Sequence, residues 1–202
     1  MTRILTGLYD TYADAKAVVG DLEAAGIASD NISVVASQAD ATGTHKVKEG
    51  NEAAPGAEAG AAFGAIIAGG SGLLAGLGML AIPGLGPVVA AGWLASAAVG
   101  VVAGAAVGGA GGGLIGAMVG NGVPEQDAHV YAEGVRRGGT LVTVRVDQSQ
   151  ALTADEILRR HHAVDPVERR RIYGEHGWTS FDEKAPPYVT TTPETTRAKL
   201  VA

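Results

Sequence analysis

Residues 82–87 read IPGLGP, and they are the one interruption in a long uncharged run. No Asp, Glu, Lys, Arg or His occurs between Glu58 and Glu125. Closely spaced prolines and glycines (Pro83, Gly84, Gly86, Pro87) end any helix that reaches them. The run therefore divides into two arms, 59–82 and 88–120. As helices they would be about 36 and about 50 Å long. Each would be long enough to cross a hydrocarbon core of about 30 Å.

Both arms carry small residues at every fourth position. In the second arm these are Gly92, Ser96, Gly100, Gly104, Gly108, Gly112, Gly116 and Gly120. In the first they are Gly60, Gly64, Ala68, Gly72 and Gly76. A row of small residues lets two helix backbones approach closely and gain dispersion contacts. A period of four lags the 3.6-residue turn, so the row winds around the helix and favours a right-handed crossing. The expectation over 59–120 is a glycine-zipper α-helical hairpin, turned at 82–87 and packed through the eleven glycines of these rows.

The flanks read differently. RILTGLY (3–9) suits a strand; TYADAKAVVGDLEAAG (11–26) has Ala15, Val18, Val19 and Leu22 at helical spacing. Thr11 and Asp14 approximate a capping box, Gly26 suits the stop, and NISVVAS (31–37) reads as a second strand. After the run, Pro124, Glu125 and Asp127 favour a helix start, with Ala128, Tyr131, Ala132 and Val135 on one face. TLVTVRV (140–146) alternates, with Val142, Val144 and Val146 on one side. Thr153 and Glu156 read as a capping box, and the Asp165–Pro166 pair reads as the stop of that helix.

The expected fold class is thus α+β: a small split ferredoxin-like sheet-and-helix domain interrupted by the helical hairpin. Residues 1–40 form the first half, 41–58 a linker, 59–120 the hairpin, 121–182 the second half with an aromatic cover, and 183–202 a tail. No fourth strand is evident, and a three-stranded sheet leaves an edge that invites a partner strand.

Composition narrows the function. The net charge of −6 gives a nucleic-acid partner no electrostatic support. The absence of Cys excludes disulfides, thiolate metal sites and a Cys nucleophile, and fits a reducing compartment. MTRILTGLYDTYADAK has no apolar run of signal-peptide length, so the N-terminal part is expected to stay in the cytoplasm.

Residues 4–37, ILTGLYDTYADAKAVVGDLEAAGIASDNISVVAS, resemble the N-terminal module of bacterial heat-induced, general stress proteins. VPEQDAHVYAEGVRRGGTLVTVRV (123–146) resembles a second half-module, and YGEHGWTSFDEKAPPY (173–188) a tail of stress-associated bacterial proteins. The anchors are Tyr9, Asp10, Gly26, Pro124, Tyr131, Gly138 and Gly139. The resemblance implies a stress-response role and carries no catalytic residues with it.

Candidate chemistry is sparse. GGGLIG (111–116) matches a dinucleotide fingerprint with Glu133 at the right remove, yet the expected helix is already running through it. His161 and His162 are adjacent and point about 100° apart on a helix, so they cannot readily share a metal. His161 is expected toward the sheet and His162 toward solvent, with His129 and His176 isolated. ERRR (168–171), with Arg159 and Arg160, forms a basic patch: a solvated helix continuation, or a contact with anionic headgroups or with a neighbour's acidic N-terminal half. Trp178 and Phe181 suit a plug on the domain.

No catalytic, cofactor or metal residues are expected. The chain reads as a non-enzymatic stress protein that assembles with itself through the glycine rows. It is expected at the inner membrane with both termini cytoplasmic, the lipid bilayer being a partner and nucleic acid not. The alternative is a soluble ring, shell or scaffold whose dry core is the glycine-rich hairpins.

Overall fold

The computed structural model describes residues 2–37, 78–82, 85–94, 97 and 113–185. Five strands form one antiparallel sheet: β1 (Thr2–Tyr9), β2 (Ile32–Ser37), β3 (Gly78–Ile82), β4 (Gly86–Ala91) and β5 (Thr140–Asp147). The spatial order is β1-β5-β2-β4-β3. Among the described residues, the helices α1 (Tyr12–Ala24), α2 (Leu114–Gly120), α3 (Glu125–Arg136), α4 (Ala151–Arg160) and α5 (Pro166–Glu175) accompany it. Helices and an antiparallel sheet make the α+β class.

Two β-α-β crossovers interleave. β1 and β2 flank β5, joined through α1; β4 and β5 flank β2, joined through a segment that includes α2 and α3. The crossovers lie on opposite faces, and β5 is largely buried on both. Leu141 pairs in register with Leu8 and Val35, and these three pack with Val88, Met118, Tyr131 and Val135. Val142, Val144 and Val146 pack instead with Val18, Leu22, Ile157 and Leu158 of α1 and α4. The sheet thus sits between two helical layers, and removing both its faces from water is the main favourable term in the fold.

Over 78–82 and 86–91 the expected helical arms are instead strands, β3 and β4, while residues 59–77, 95–96 and 98–112 lie outside the described residues. The uncharged run turns at 82–87, as expected, but the turn joins two strands. Leu85 N–H donates to the Ile82 carbonyl at 3.1 Å, and Ile82 stands opposite Gly86. β4 then pairs with β2 from Val34↔Ala91 to Ser37↔Val88. The fourth strand missing from the sequence reading is β4, and β3 is a fifth. Ile82, Leu85, Val88 and Ala90 are buried in the same core as Leu8 and Leu141, so the turn belongs to the domain rather than to the tip of a long hairpin.

Local signals explain the other elements. Thr11 caps α1, its hydroxyl accepting the Asp14 N–H at 3.1 Å. Pro124 is the N-cap of α3, with Glu125 and Asp127 in its positive first turn. Two expectations shift. α4 begins at Ala151, so Thr153 lies inside it and does not cap it. Asp165–Pro166 opens α5 rather than closing α4: Asp165 accepts the N–H groups of Val167 and Glu168, and Pro166 occupies the first turn.

Candidate functional site

The helix-packing glycines fall in two groups. Gly60, Gly64, Gly72, Gly76, Gly100, Gly104, Gly108 and Gly112 lie outside the described residues. Gly92, Gly116 and Gly120 lie within them, and they do not share one helix. Gly92 follows β4 with φ +86°, and a Cβ there would sit 2.3 Å from the Ile32 carbonyl oxygen. Its glycine is required by a tight turn across β2, not by a helix crossing. Gly116 is half-buried in α2, and Gly120, the last residue of α2, faces open space.

The densest set of charged and aromatic groups joins α3 to α5. Glu133 is fully buried on α3. Arg136 grips its carboxylate with two nitrogens, at 2.8 and 2.7 Å, and Arg137 adds a third bond at 2.6 Å. The i, i+3 and i, i+4 spacings place all three on one side of α3. The Arg137 guanidinium lies 4.3 Å from the centre of the Tyr173 ring, and Trp178 meets that ring edge-on at 5.4 Å. From α5, Arg169 reaches Asp10 at 2.7 Å and Arg170 reaches Asp127 at 2.6 Å. Burial raises the Tyr173 hydroxyl above its ordinary value, opposed by its hydrogen bond from Arg169. Burial, helped by Asp127 and Asp165, pushes Tyr131 up to about 12.

The ERRR patch is therefore committed within the chain. Arg169 meets the acidic N-terminal half of its own molecule, Arg170 meets α3, and Arg171 pairs along α5 with Glu168 and Glu175. Phe181 is buried against the core, its N–H donating to His129 Nδ1 at 3.3 Å, so the aromatic plug forms and His129 is not isolated.

A second cluster lies where β4 leaves the sheet. The Arg145 guanidinium stacks 3.6 Å from the centre of the Trp93 ring, and the Trp93 indole donates to the Asn31 carbonyl. Ser33 donates to the Ala91 carbonyl at 2.6 Å and accepts the Leu94 N–H. These bonds hold the chain after β4 against β2.

His161 Nε2 sits 2.8 Å from Asp21 of helix α1 instead of facing the sheet, while His162 is exposed as expected. Among the described residues no group of three or more His, Asp or Glu side chains could hold a metal ion. The dinucleotide reading fails on a different ground from the expected one. α2 does open after the glycines, at Leu114, but it has only seven residues, and Glu133 is committed to two arginines instead of a ribose. The Glu133 clamp was legible only as i, i+3 and i, i+4 charge spacing; the Asp10–Arg169 pair joins distant positions and left no sequence signal.

Residues 5–78 match the heat induced stress protein YflT domain family. The match takes in most of β1, all of α1 and β2, and the stretch up to the start of β3. It agrees with the resemblance carried by residues 4–37 and supports a stress-response role. Neither the curated proteins nor the solved structures give a match.

Proposed function

We propose that this stress protein works by assembly rather than catalysis, and that the uncharged Gly/Ala segments 59–77 and 95–112 join copies of the chain. The pairing of β4 with β2 carries this reading. Strands hydrogen-bonded to each other lie on the same side of any membrane. Whatever connects β2 to β3, or β4 to α2, must cross a bilayer an even number of times or not at all. A helical crossing takes about 20 residues. The uncharged stretch on either side of the β3–β4 hairpin has length for one crossing at most.

This favours the soluble-assembly alternative over a two-pass membrane hairpin, with the whole chain in one compartment. Among the described residues no helix is long and apolar enough to cross a membrane. The segments still need a partner surface. A run this rich in glycine loses about 0.5–1 kcal/mol per Gly relative to Ala as an isolated helix. Close packing against identical segments supplies that surface without a charged or bulky side chain to exclude it. Nothing in the charged clusters offers a nucleophile beside a base; their groups face opposite charges or aromatic rings.

Sedimentation in detergent-free buffer tests the proposal. The wild-type chain should run as a defined large oligomer. Gly104→Leu with Gly108→Leu should give a smaller species with unchanged circular dichroism from the α+β domain. An unchanged oligomer would remove the packing role of these glycines. A wild-type chain retained in a carbonate-washed membrane pellet would restore the spanning reading.

A further inference from the structure

We infer that residues 164–181 form a strap held across α3 by charge, able to detach while the sheet stays folded. The strap begins where Val164 N–H donates to the Leu8 carbonyl at 2.8 Å, beside the edge of β1. It runs along α3 as α5 and ends at Phe181, whose N–H donates to His129 on the same helix.

Its hold on the domain is uneven. Tyr173 is the one buried residue of α5, while Val167 is 67% exposed and Ile172 faces solvent. Amphipathic helices normally dock through a continuous apolar stripe, and α5 lacks one. Its polar anchors to other elements all involve charge: Arg169 pairs with Asp10, Arg170 pairs with Asp127 and donates to Gln126, and Arg137, the C-cap of α3, lies over the Tyr173 ring. Beyond it, only Phe181 adds a buried apolar side chain. The docked state also carries a cost, because the Trp178 indole N–H is buried with no acceptor among the described residues. Few apolar contacts and several partly exposed ion pairs mark the low-stability end of a fold, and such pairs weaken as salt screens them.

The strap overlies something worth covering. Asp165 lies close enough to Tyr131 to act on its hydroxyl, and Phe181 packs in the same core as Tyr131 and Val135. Detachment would bare this aromatic and aliphatic flank of α3. The device is independent of the assembly segments and would stand if the assembly reading failed.

Hydrogen exchange of the full chain, read by mass spectrometry, tests it. Peptides over 164–181 are compared with the central strand β5 at about 0.02 M and about 0.5 M NaCl, which span weak to strong screening. Strap amides should exchange about tenfold faster at high salt, with β5 unchanged. Arg169→Asp with Arg170→Asp should do the same at low salt. Adding Asp10→Arg and Asp127→Arg should restore protection. A strap that exchanges in step with β5 at both salt concentrations would overturn the inference, as would a charge swap that folds and leaves the strap unprotected. If a variant loses β5 protection as well, the wild-type salt comparison decides.

Discussion

Gly134 of α3 rests directly on Leu8 of β1: a Cβ at position 134 would lie 2.3 Å from Leu8 Cδ2 and 3.0 Å from Cδ1. Leu8 is fully buried between β5 and α3, so it has little room to yield. Gly139 repeats the constraint at the end of α3, where a Cβ would meet the Tyr9 carbonyl oxygen at 3.0 Å. The close approach at Gly134 is therefore a helix-to-strand contact, while Gly92 and Gly139 are turns set tightly against strands.

Gly134→Ala should destabilise the domain by about 1–3 kcal/mol through overpacking. Gly20, exposed within α1, has nothing within 4 Å of a Cβ. Gly20→Ala should stabilise by about 0.5–1 kcal/mol. Urea unfolding of the two variants checks both signs, and equal effects would contradict the packing account.

Glu133 makes a second prediction. Its carboxylate is fully buried and gripped by Arg136 and Arg137, so Glu133→Ala removes the buried acceptor that ties both guanidinium groups to α3. The loss should be about 1–3 kcal/mol. Arg171, whose partners Glu168 and Glu175 are more than half exposed, should leave the midpoint almost unmoved when replaced by Ala, because solvent screens such pairs. Chemical denaturation midpoints separate the two cases.

Alkaline titration gives a third. Burial pushes Tyr12 and Tyr131 up to about 12, and raises Tyr9 further. Their unfolded value is about 10. The unfolded chain therefore releases these protons first, so the stability they contribute is complete below about pH 10 and is lost as pH rises toward 12. Tyrosinate absorbance should show these groups lagging behind a denatured control. A native curve that overlays the denatured one would contradict the burial.

The flanks were legible because each element carries its own local signal. The expected strand 3–9 is β1, 31–37 is β2, 140–146 is β5, and the Thr11 cap stands where the pattern put it. β3 and β4 were not legible for a physical reason. β4 lies inside the sheet between β2 and β3, with Val88, Val89, Ala90 and Ala91 all buried, so it shows no alternation of polar and apolar residues. A short apolar run buried on both faces cannot be told from a helix by period alone. What separates them is the β-branched pair Val88–Val89 bounded by the Pro/Gly turn. The unbroken apolar run VVA (34–36) within ISVVAS held the matching clue that both faces of the sheet are covered, and every residue of β2 except Ser37 is buried. The two long-range arginine pairs of α5 required the fold, since Arg169 meets Asp10 across most of the chain.

The measurement that bears most directly on the account uses the absence of Cys. Single cysteines are placed by Asp30→Cys, exposed just before β2, and by Gly86→Cys, at the start of β4. Spheroplasts of the expressing cells are treated with a membrane-impermeant maleimide, before and after lysis. Because β4 is hydrogen-bonded to β2, the two positions should behave alike, both protected or both labelled. Labelling of one position in intact spheroplasts while the other stays protected would put a membrane between them and contradict the shared sheet.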